Sequence, residues 1–169
     1  MALFQTGQIV IYRNIGVCRV EDVSAKSFAD EPPKEYYTLC PIYAKGNDKI
    51  YVPADTKAFL RPITEPEQAA SYLETLKTAE APVFSCRNQT ELVTHYQTMF
   101  QTNDLREHLK LFKEICKKEQ LQKSKGRKLS AVDQHFYQLT EQLLSEEFAL
   151  SLRETPLEMR EKLHAAAMN

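Results

Sequence analysis

The sequence has few of the residues on which common active sites and membrane anchors depend. It contains no tryptophan and only four glycines among 169 residues. It has no glycine-rich phosphate-binding motif of the P-loop or dinucleotide type, and no G-x-S-x-G nucleophile motif. No run of about eighteen apolar residues could cross a membrane, and the first residues lack the pattern of a signal peptide. We therefore expect a non-catalytic protein of the cytoplasm.

Cysteine and histidine, the usual transition-metal ligands, are scattered along the chain. The cysteines form no C-x-x-C pair: Cys18, Cys40, Cys86 and Cys116. No two histidines lie four residues apart: His95, His108, His135 and His164. A zinc site needs a closer set of ligands than these spacings offer. We expect no metal and no cofactor, and we expect the thiols to be reduced and buried.

The chain changes character near residue 64, which predicts two domains, 1–63 and 64–169. Short β-like runs fill the first domain, and capped amphipathic helices fill the second. Charge is also uneven, because residues 106–128 hold nine Lys/Arg against three Glu, a balance of +6, whereas residues 129–169 have a balance of −4. In a chain of net charge −1, this layout favours a negatively charged partner for one region only.

Five short strands are predicted in the first domain, at residues 7–12, 17–23, 35–43, 49–52 and 57–61. These runs are rich in β-branched and aromatic residues and are separated by turn-forming Asn, Gly, Asp and Pro. Five strands with tight connections in about sixty residues predict a small SH3-like or Tudor-like β-barrel. Together with the helices that follow, the predicted fold class is α+β.

The strand at residues 49–52 is the best candidate for pairing with a partner. Lys49 and Tyr51 alternate with Ile50 and Val52 and therefore share one face. An exposed edge strand can accept a strand from another protein. The alternative is that Lys49 is only a charged guard against edge-to-edge aggregation, and spacing alone does not separate the two interpretations.

Five helices are predicted in the second domain, at residues 65–78, 89–101, 104–123, 130–151 and 156–167. Their starts carry capping signals: Thr64 with Glu67, Asn88 with Glu91, Asn103 or Asp104, Ser130 with Asp133, and Thr155 with Pro156 and Glu158. The pair Glu146-Glu147 in the fourth helix is predicted to lie at the surface. The pattern indicates an all-α bundle.

The third helix combines an apolar stripe with a basic one. Leu105, Leu109, Phe112 and Cys116 recur at helical spacing and predict its core face. One residue further on, the cations recur at the same spacing: Arg106, Lys110, Lys113 and Lys117. Further cations follow downstream: Lys118, Lys123, Lys125, Arg127 and Lys128. This stripe predicts contact with nucleic-acid phosphates, the alternative being a solvated helix face.

Several motifs resemble the CarD/CdnL family of bacterial transcription regulators when they are taken in order. The first is Gly7-Gln8-Ile9-Val10-Ile11-Tyr12 with Gly16, followed by Lys34-Glu35-Tyr36-Tyr37 and Tyr51-Val52-Pro53-Ala54. The last are Gly126-Arg127-Lys128-Leu129-Ser130, Asp133 and the run from Leu143 to Leu150. The resemblance extends over nearly the whole chain.

The resemblance implies a Tudor-like N-terminal domain that binds the β subunit of RNA polymerase. It also implies a helical domain that touches promoter DNA at the edge of the transcription bubble and stabilises the open complex. The polymerase-facing residues are then expected to be Lys26, Lys49, Ile50, Tyr51, Val52 and Pro53. Lys26 and Tyr51 stand roughly where relatives often have arginine.

The chain departs from the family where DNA is concerned. Relatives place a tryptophan at the start of the second helix, whereas this chain has Gln89 near that position and only Arg87 as a neighbouring cation. DNA contact is therefore expected from Arg87 and the cations between Arg106 and Lys128. The alternative is a protein-only adaptor that has lost DNA contact. The sequence leaves the oligomeric state open.

Overall fold

The computed structural model describes residues 3–55 and 60–168, apart from the side chain of Asn14. The chain divides into two compact units, Met1–Ile63 and Thr64–Asn169. The first contains an antiparallel five-stranded sheet and the second contains five helices, which confirms the predicted α+β class.

The sheet consists of β1 (Ile9–Tyr12), β2 (Gly16–Lys26), β3 (Lys34–Pro41), β4 (Ile50–Pro53) and β5 (Leu60–Pro62). The predicted turn after β1 is a short 3-10 segment, Arg13–Ile15, and β2 runs three residues further than predicted. Residues 57–59 of the predicted fifth strand lie outside the described residues. The strands are hydrogen-bonded in the order β4-β3-β2-β1-β5.

Side chains from all five strands meet in one apolar cluster, although β4 and β5 stand at opposite ends of the strand order. Its buried members are Val10, Cys18, Val20, Tyr37, Leu39 and Val52, with Ile50 and Leu60 packed against them. Strands at the two ends of a sheet can share a core only if the sheet curls around it. A register shift in β2 between Val20 and Asp22 gives the local bend.

The helical unit consists of α1 (Pro66–Thr78), α2 (Gln89–Phe100), α3 (Leu105–Ser124), α4 (Ala131–Leu152) and α5 (Pro156–Ala167). Four of the predicted caps are observed. Asn88 and Asp104 each accept from an amide of the first turn, and Ser130 and Thr155 form complete capping boxes with Asp133 and Glu158. The helix starts are therefore set by local side-chain bonds.

The predicted capping box at Thr64 is wrong, and so is the surface position of Glu146 and Glu147. The Thr64 hydroxyl and amide both donate to the Glu147 carboxylate, at 2.6 and 3.1 Å, and Glu65, the N-cap of α1, forms no side-chain cap bond. Glu146 and Glu147 are 8% and 3% exposed. A buried carboxylate 83 residues away thus replaces the local cap.

Helix α3 packs on two sides. Its predicted stripe of Leu105, Leu109, Phe112 and Cys116 joins one core cluster with residues of α1, α4 and α5. Leu111 and Ile115, on another face, belong to a second cluster with residues of α2 and Phe136 of α4. A helix enclosed in this way has little surface left for a continuous charged stripe.

Candidate functional site

The strand β4 ends the sheet on one side, as an edge suited to strand addition requires. It pairs antiparallel with β3, with Tyr37 opposite Val52 and Thr38 opposite Tyr51. Among the described residues of this unit, β3 is its one strand neighbour. A strand with one neighbour directs half of its backbone amides and carbonyls away from the sheet, where another strand can bind them.

The predicted polymerase-facing residues divide between the two faces of β4. Val52 is buried and Ile50 packs against the barrel core, so both hold the strand in place. Tyr51 points outward and is 45% exposed. Lys49 is also exposed and pairs with Glu21 of β2 at 3.2 Å, and this hydrogen bond raises the pKa of Lys49. Pro53 ends the strand opposite Tyr36.

Tyr51 belongs to a patch of three aromatic rings that we call the outer patch: Phe28, Tyr36 and Tyr51. Phe28 packs edge-on against Tyr36 with ring centroids 5.0 Å apart, and its centroid lies 5.5 Å from that of Tyr51. The ammonium of Lys26 lies 5.3 Å from the Tyr51 centroid, within cation–π range. Phe28 is itself 42% exposed. The patch therefore presents apolar area and one cation beside the β4 edge.

The predicted basic stripe on α3 is interrupted at Lys113, which we withdraw from the DNA-contacting set. Lys113 is 2% exposed, and its ammonium donates to the backbone carbonyls of Leu76 and Lys77. Those carbonyls belong to the last turn of α1, where a cation is favourable. Burial lowers the pKa of Lys113. This lysine caps a helix end.

Lys118 is also removed from the DNA-contacting set, because it too is buried and bonded inside the helical unit. Its ammonium lies 2.9 Å from the Asp133 carboxylate in a pair whose side chains are 7% and 1% exposed. Asp133 also accepts from the Tyr96 hydroxyl at 2.5 Å and from Ser130. Burial opposes ionisation of Asp133, but these hydrogen bonds prevail and lower its pKa. Lys118 thus belongs to an internal network that joins α2, α3 and α4.

Three other cations of α3 are exposed but have acidic partners. Arg106 lies 3.7 Å from Asp104, Lys110 lies 3.1 Å from Glu107, and Lys123 lies 3.2 Å from Glu119. Lys117 is half-buried. Exposed ion pairs of this kind are weak, so these cations can leave their acidic partners and bind a phosphate instead. The neighbouring carboxylates nevertheless reduce the positive potential of this helix face.

The remaining predicted cations surround a concave site that we call the basic cleft. Arg87, Lys125, Arg127 and Lys128 are exposed and line a cavity of about 560 Å³. In the part of the chain that the structure describes, none of the four forms an ion pair. Asp133, which also lines the cleft, is already bonded to Lys118. The rim of the basic cleft is therefore positive.

Gly126 determines how one wall of the basic cleft is formed. At φ of +68° it adopts the left-handed conformation that ends α3, and the Arg127 amide then donates back to the Gln122 carbonyl at 2.8 Å. Arg127 and Lys128 follow this reversal directly. A side chain at position 126 would strain this backbone.

Within residues 3–55 and 60–168, no group of three His, Cys, Asp or Glu side chains is placed to hold a metal ion. No helix in the described ranges is both long and apolar enough to cross a membrane.

Sequence reasoning missed the outer patch and, apart from Arg87, the wall of the basic cleft that lies opposite Gly126. Phe28 and Tyr36 lay in a predicted loop and at a strand start, and only the register, with Tyr36 opposite Pro53, brings them beside Tyr51. Residues 83–88 of this wall form no helix or strand, so no periodicity indicates them. The cluster of Cys86, Arg87 and Asn88 just before a helix cap was its one visible signal.

Comparison with known proteins identifies the N-terminal unit. Residues 4–64 match the family model described as CarD-like/TRCF RID domain. The matched residues end at the boundary between the two units. A search of curated proteins found no match to the chain. The N-terminal unit is a CarD-like domain of the RNA polymerase-interacting type, in agreement with the resemblance seen in the sequence motifs.

Proposed function

We propose that the protein is a non-catalytic transcription regulator that docks on the β subunit of RNA polymerase and stabilises the open promoter complex. The observation that carries the docking step is the edge strand β4 within a CarD-like domain. In this proposal a polymerase strand pairs with the free side of β4 and extends the sheet.

The outer patch supplies specificity to this docking step. Backbone pairing alone is indifferent to sequence, whereas exposed aromatic rings act as anchors in many interfaces. Tyr51 stands on the edge strand, and Phe28 contacts both its ring and the ring of Tyr36. Lys26 adds a cation over the Tyr51 ring, so a carboxylate next to an apolar residue on the polymerase strand would match the patch.

Binding of the full chain to immobilised RNA polymerase, and to its isolated β lobe, tests this proposal. Tyr51→Ala is expected to weaken binding about 30-fold, as loss of a hot-spot aromatic of roughly 2 kcal/mol would do. Ile15→Ala is the matched control, because Ile15 is 43% exposed in the connection between β1 and β2. Equal affinities of wild type and Tyr51→Ala, or no binding by the wild type, would reject the proposal.

We further propose that the helical unit contacts the DNA backbone through its exposed cations. The four unpaired rim cations of the basic cleft favour this function, assisted by Arg106, Lys110 and Lys123. Contact with about four phosphates gives a slope of log affinity against log salt near −3.6. Binding to a forked promoter fragment that is independent of salt would exclude it.

The alternative is a protein-only adaptor, favoured by the absence of tryptophan and by exposed Gln89 at the start of α2. A stacked aromatic contributes about 1–3 kcal/mol per base, and glutamine cannot replace that. The lifetime of the open complex, measured with wild type and with Arg87→Gln/Arg127→Gln, separates the two. An adaptor would change the lifetime equally with both chains, whereas a DNA-contacting protein would lose its effect in the double variant.

A further inference from the structure

The basic cleft is a concave cavity that could enclose a small ligand, whereas a duplex would contact only its rim cations. Its volume of about 560 Å³ lies in the range of pockets that enclose small ligands, roughly 300–1,000 Å³. Arg87 stands on one wall, and Lys125, Arg127 and Lys128 stand on the other. A ligand between the two walls would meet positive charge from both sides.

Both walls are fixed by specific contacts. On the Val83–Gln89 side, the Phe84 ring stacks on His95 with centroids 4.2 Å apart, and the Phe84 carbonyl accepts from Lys118 at 3.5 Å. The Cys86 thiol donates to Glu91 at 2.8 Å. The opposite wall is set by Gly126, as described above. Little ordering is therefore needed before a ligand binds, which favours affinity.

The lining also restricts the chemistry of the ligand. Arginine guanidinium groups bind phosphate through paired hydrogen bonds, and lysines add point charges. Val83, Leu92 and Leu121 add apolar side chains to the lining of the cleft. Among its described lining residues there is no aromatic ring on which a base could stack. Recognition must therefore come mainly from phosphate groups, with room for an uncharged remainder.

We propose that the basic cleft binds a small ligand carrying two or more phosphate groups, of the size of a nucleoside triphosphate. The inference is independent of docking through β4, because every residue it uses lies in the helical unit. The same phosphate chemistry could be supplied by the backbone of DNA, so the experiment must distinguish a small ligand from a polymer.

Alkylation of Cys86 reports on the cleft, because Cys86 is one of its lining residues. We would treat the full chain with iodoacetamide at pH 8 and follow Cys86 by mass spectrometry, with half-buried Cys40 as the internal reference. The probes are ATP, tripolyphosphate and a duplex oligonucleotide, each against sodium sulfate at equal ionic strength. Saturating ATP or tripolyphosphate is expected to slow Cys86 alkylation at least tenfold and to leave Cys40 unchanged.

Variants then test whether the rim cations of the basic cleft cause the protection of Cys86. Arg127→Gln and Arg87→Gln are expected to weaken protection by ATP at least fivefold, whereas Lys162→Gln, which removes an exposed cation of α5 outside the cleft, should not. Protection by the duplex alone, protection equal to that by sulfate, or no protection by any probe would overturn the proposal. Retention of the wild-type circular dichroism spectrum verifies that the variants are folded.

Discussion

The ammonium of Lys118 lies 2.9 Å from the carboxylate of Asp133, and both groups are enclosed beneath the basic cleft. The pair links α3 to the first turn of α4, and Asp133 also holds the Tyr96 hydroxyl of α2 and caps α4 with Ser130. One carboxylate thus joins three helices, and the cleft depends on their arrangement.

We predict that Asp133→Asn destabilises the helical unit by about 3–5 kcal/mol. The substitution keeps the shape of the side chain but leaves the Lys118 charge buried without a counter-ion. Urea unfolding followed by circular dichroism measures the change. Glu107→Gln is the matched control, because it breaks the exposed pair with Lys110 on the same helix and should cost no more than about 1 kcal/mol. A loss below that value for Asp133→Asn would contradict the prediction.

We also predict that the ionised Asp133 carboxylate contributes stability that is lost in acid. The folded-state pKa of Asp133 lies below its ordinary value of 3.8, because hydrogen bonds to the carboxylate outweigh its burial. A depressed pKa contributes stability that is complete above pH 3.8 and is lost as the pH falls through the folded-state value. Burial raises the pKa of Glu114 and of Glu146, which gives the opposite slope.

The difference between wild type and Asp133→Asn cancels the contribution of these other carboxylates. The gap between the two unfolding free energies, measured in urea from pH 7 downward, should therefore narrow only as the pH falls below 3.8. Parallel curves over the whole range would show that Asp133 is not the group responsible.

Local signals predicted most of the fold. The observed α3, α4 and α5 begin within one residue of their predicted starts, because Asp104, Ser130 and Thr155 satisfy the first amides through side chains close in sequence. The capping box predicted at Thr64 was wrong because Thr64 bonds to Glu147, which is 83 residues away. Capping patterns predict a helix start but cannot reveal a competing long-range acceptor.

The site was predicted less well, for a related reason. Helical periodicity identifies the face on which Lys113 and Lys118 lie, but it does not tell how many neighbours enclose the helix. Lys113 donates to backbone carbonyls of α1, and Lys118 pairs with Asp133. Both cations are therefore buried within the helical unit and do not face a ligand. Strand alternation has only two outcomes, and Lys49 and Tyr51, predicted to share one face, are both exposed.

Thiol reactivity should follow burial. Cys18 and Cys116 are buried as predicted, which raises the pKa of each to about 12, whereas Cys40 and Cys86 are half-buried, so the prediction of burial is wrong for these two. A disulfide reagent such as DTNB at pH 8 is therefore expected to react within minutes with at most two thiols of the native chain and with all four after unfolding.

Glu91→Gln refines this test. The hydrogen bond to Glu91 raises the pKa of Cys86, so removal of the negative acceptor should accelerate labelling of Cys86 and leave that of Cys40 unchanged. Labelling of native Cys116 as fast as that of Cys86 would contradict the assigned burial.

Thr38 offers a stabilising substitution next to the proposed docking edge. It lies on the outer side of β3 between Asp22 and Tyr51, is 5% exposed, and its hydroxyl has no hydrogen-bond partner among the described residues. A buried hydroxyl without a partner costs free energy, and valine has nearly the same shape. Thr38→Val is expected to stabilise the barrel by about 1 kcal/mol, which for a domain of this size raises the melting temperature by about 4–8 °C.

Ser24→Ala is the matched control, because the Ser24 hydroxyl is bonded to Asp22 at 2.6 Å on the same side of the sheet. Removal of the Ser24 hydroxyl should leave the melting temperature measured by calorimetry unchanged or lower it. A melting temperature lowered by Thr38→Val would mean that the hydroxyl has a partner in solution. Since valine at position 38 supports Tyr51 from the neighbouring strand as threonine does, the variant should bind RNA polymerase with unchanged affinity, which separates the stability of this edge from its recognition.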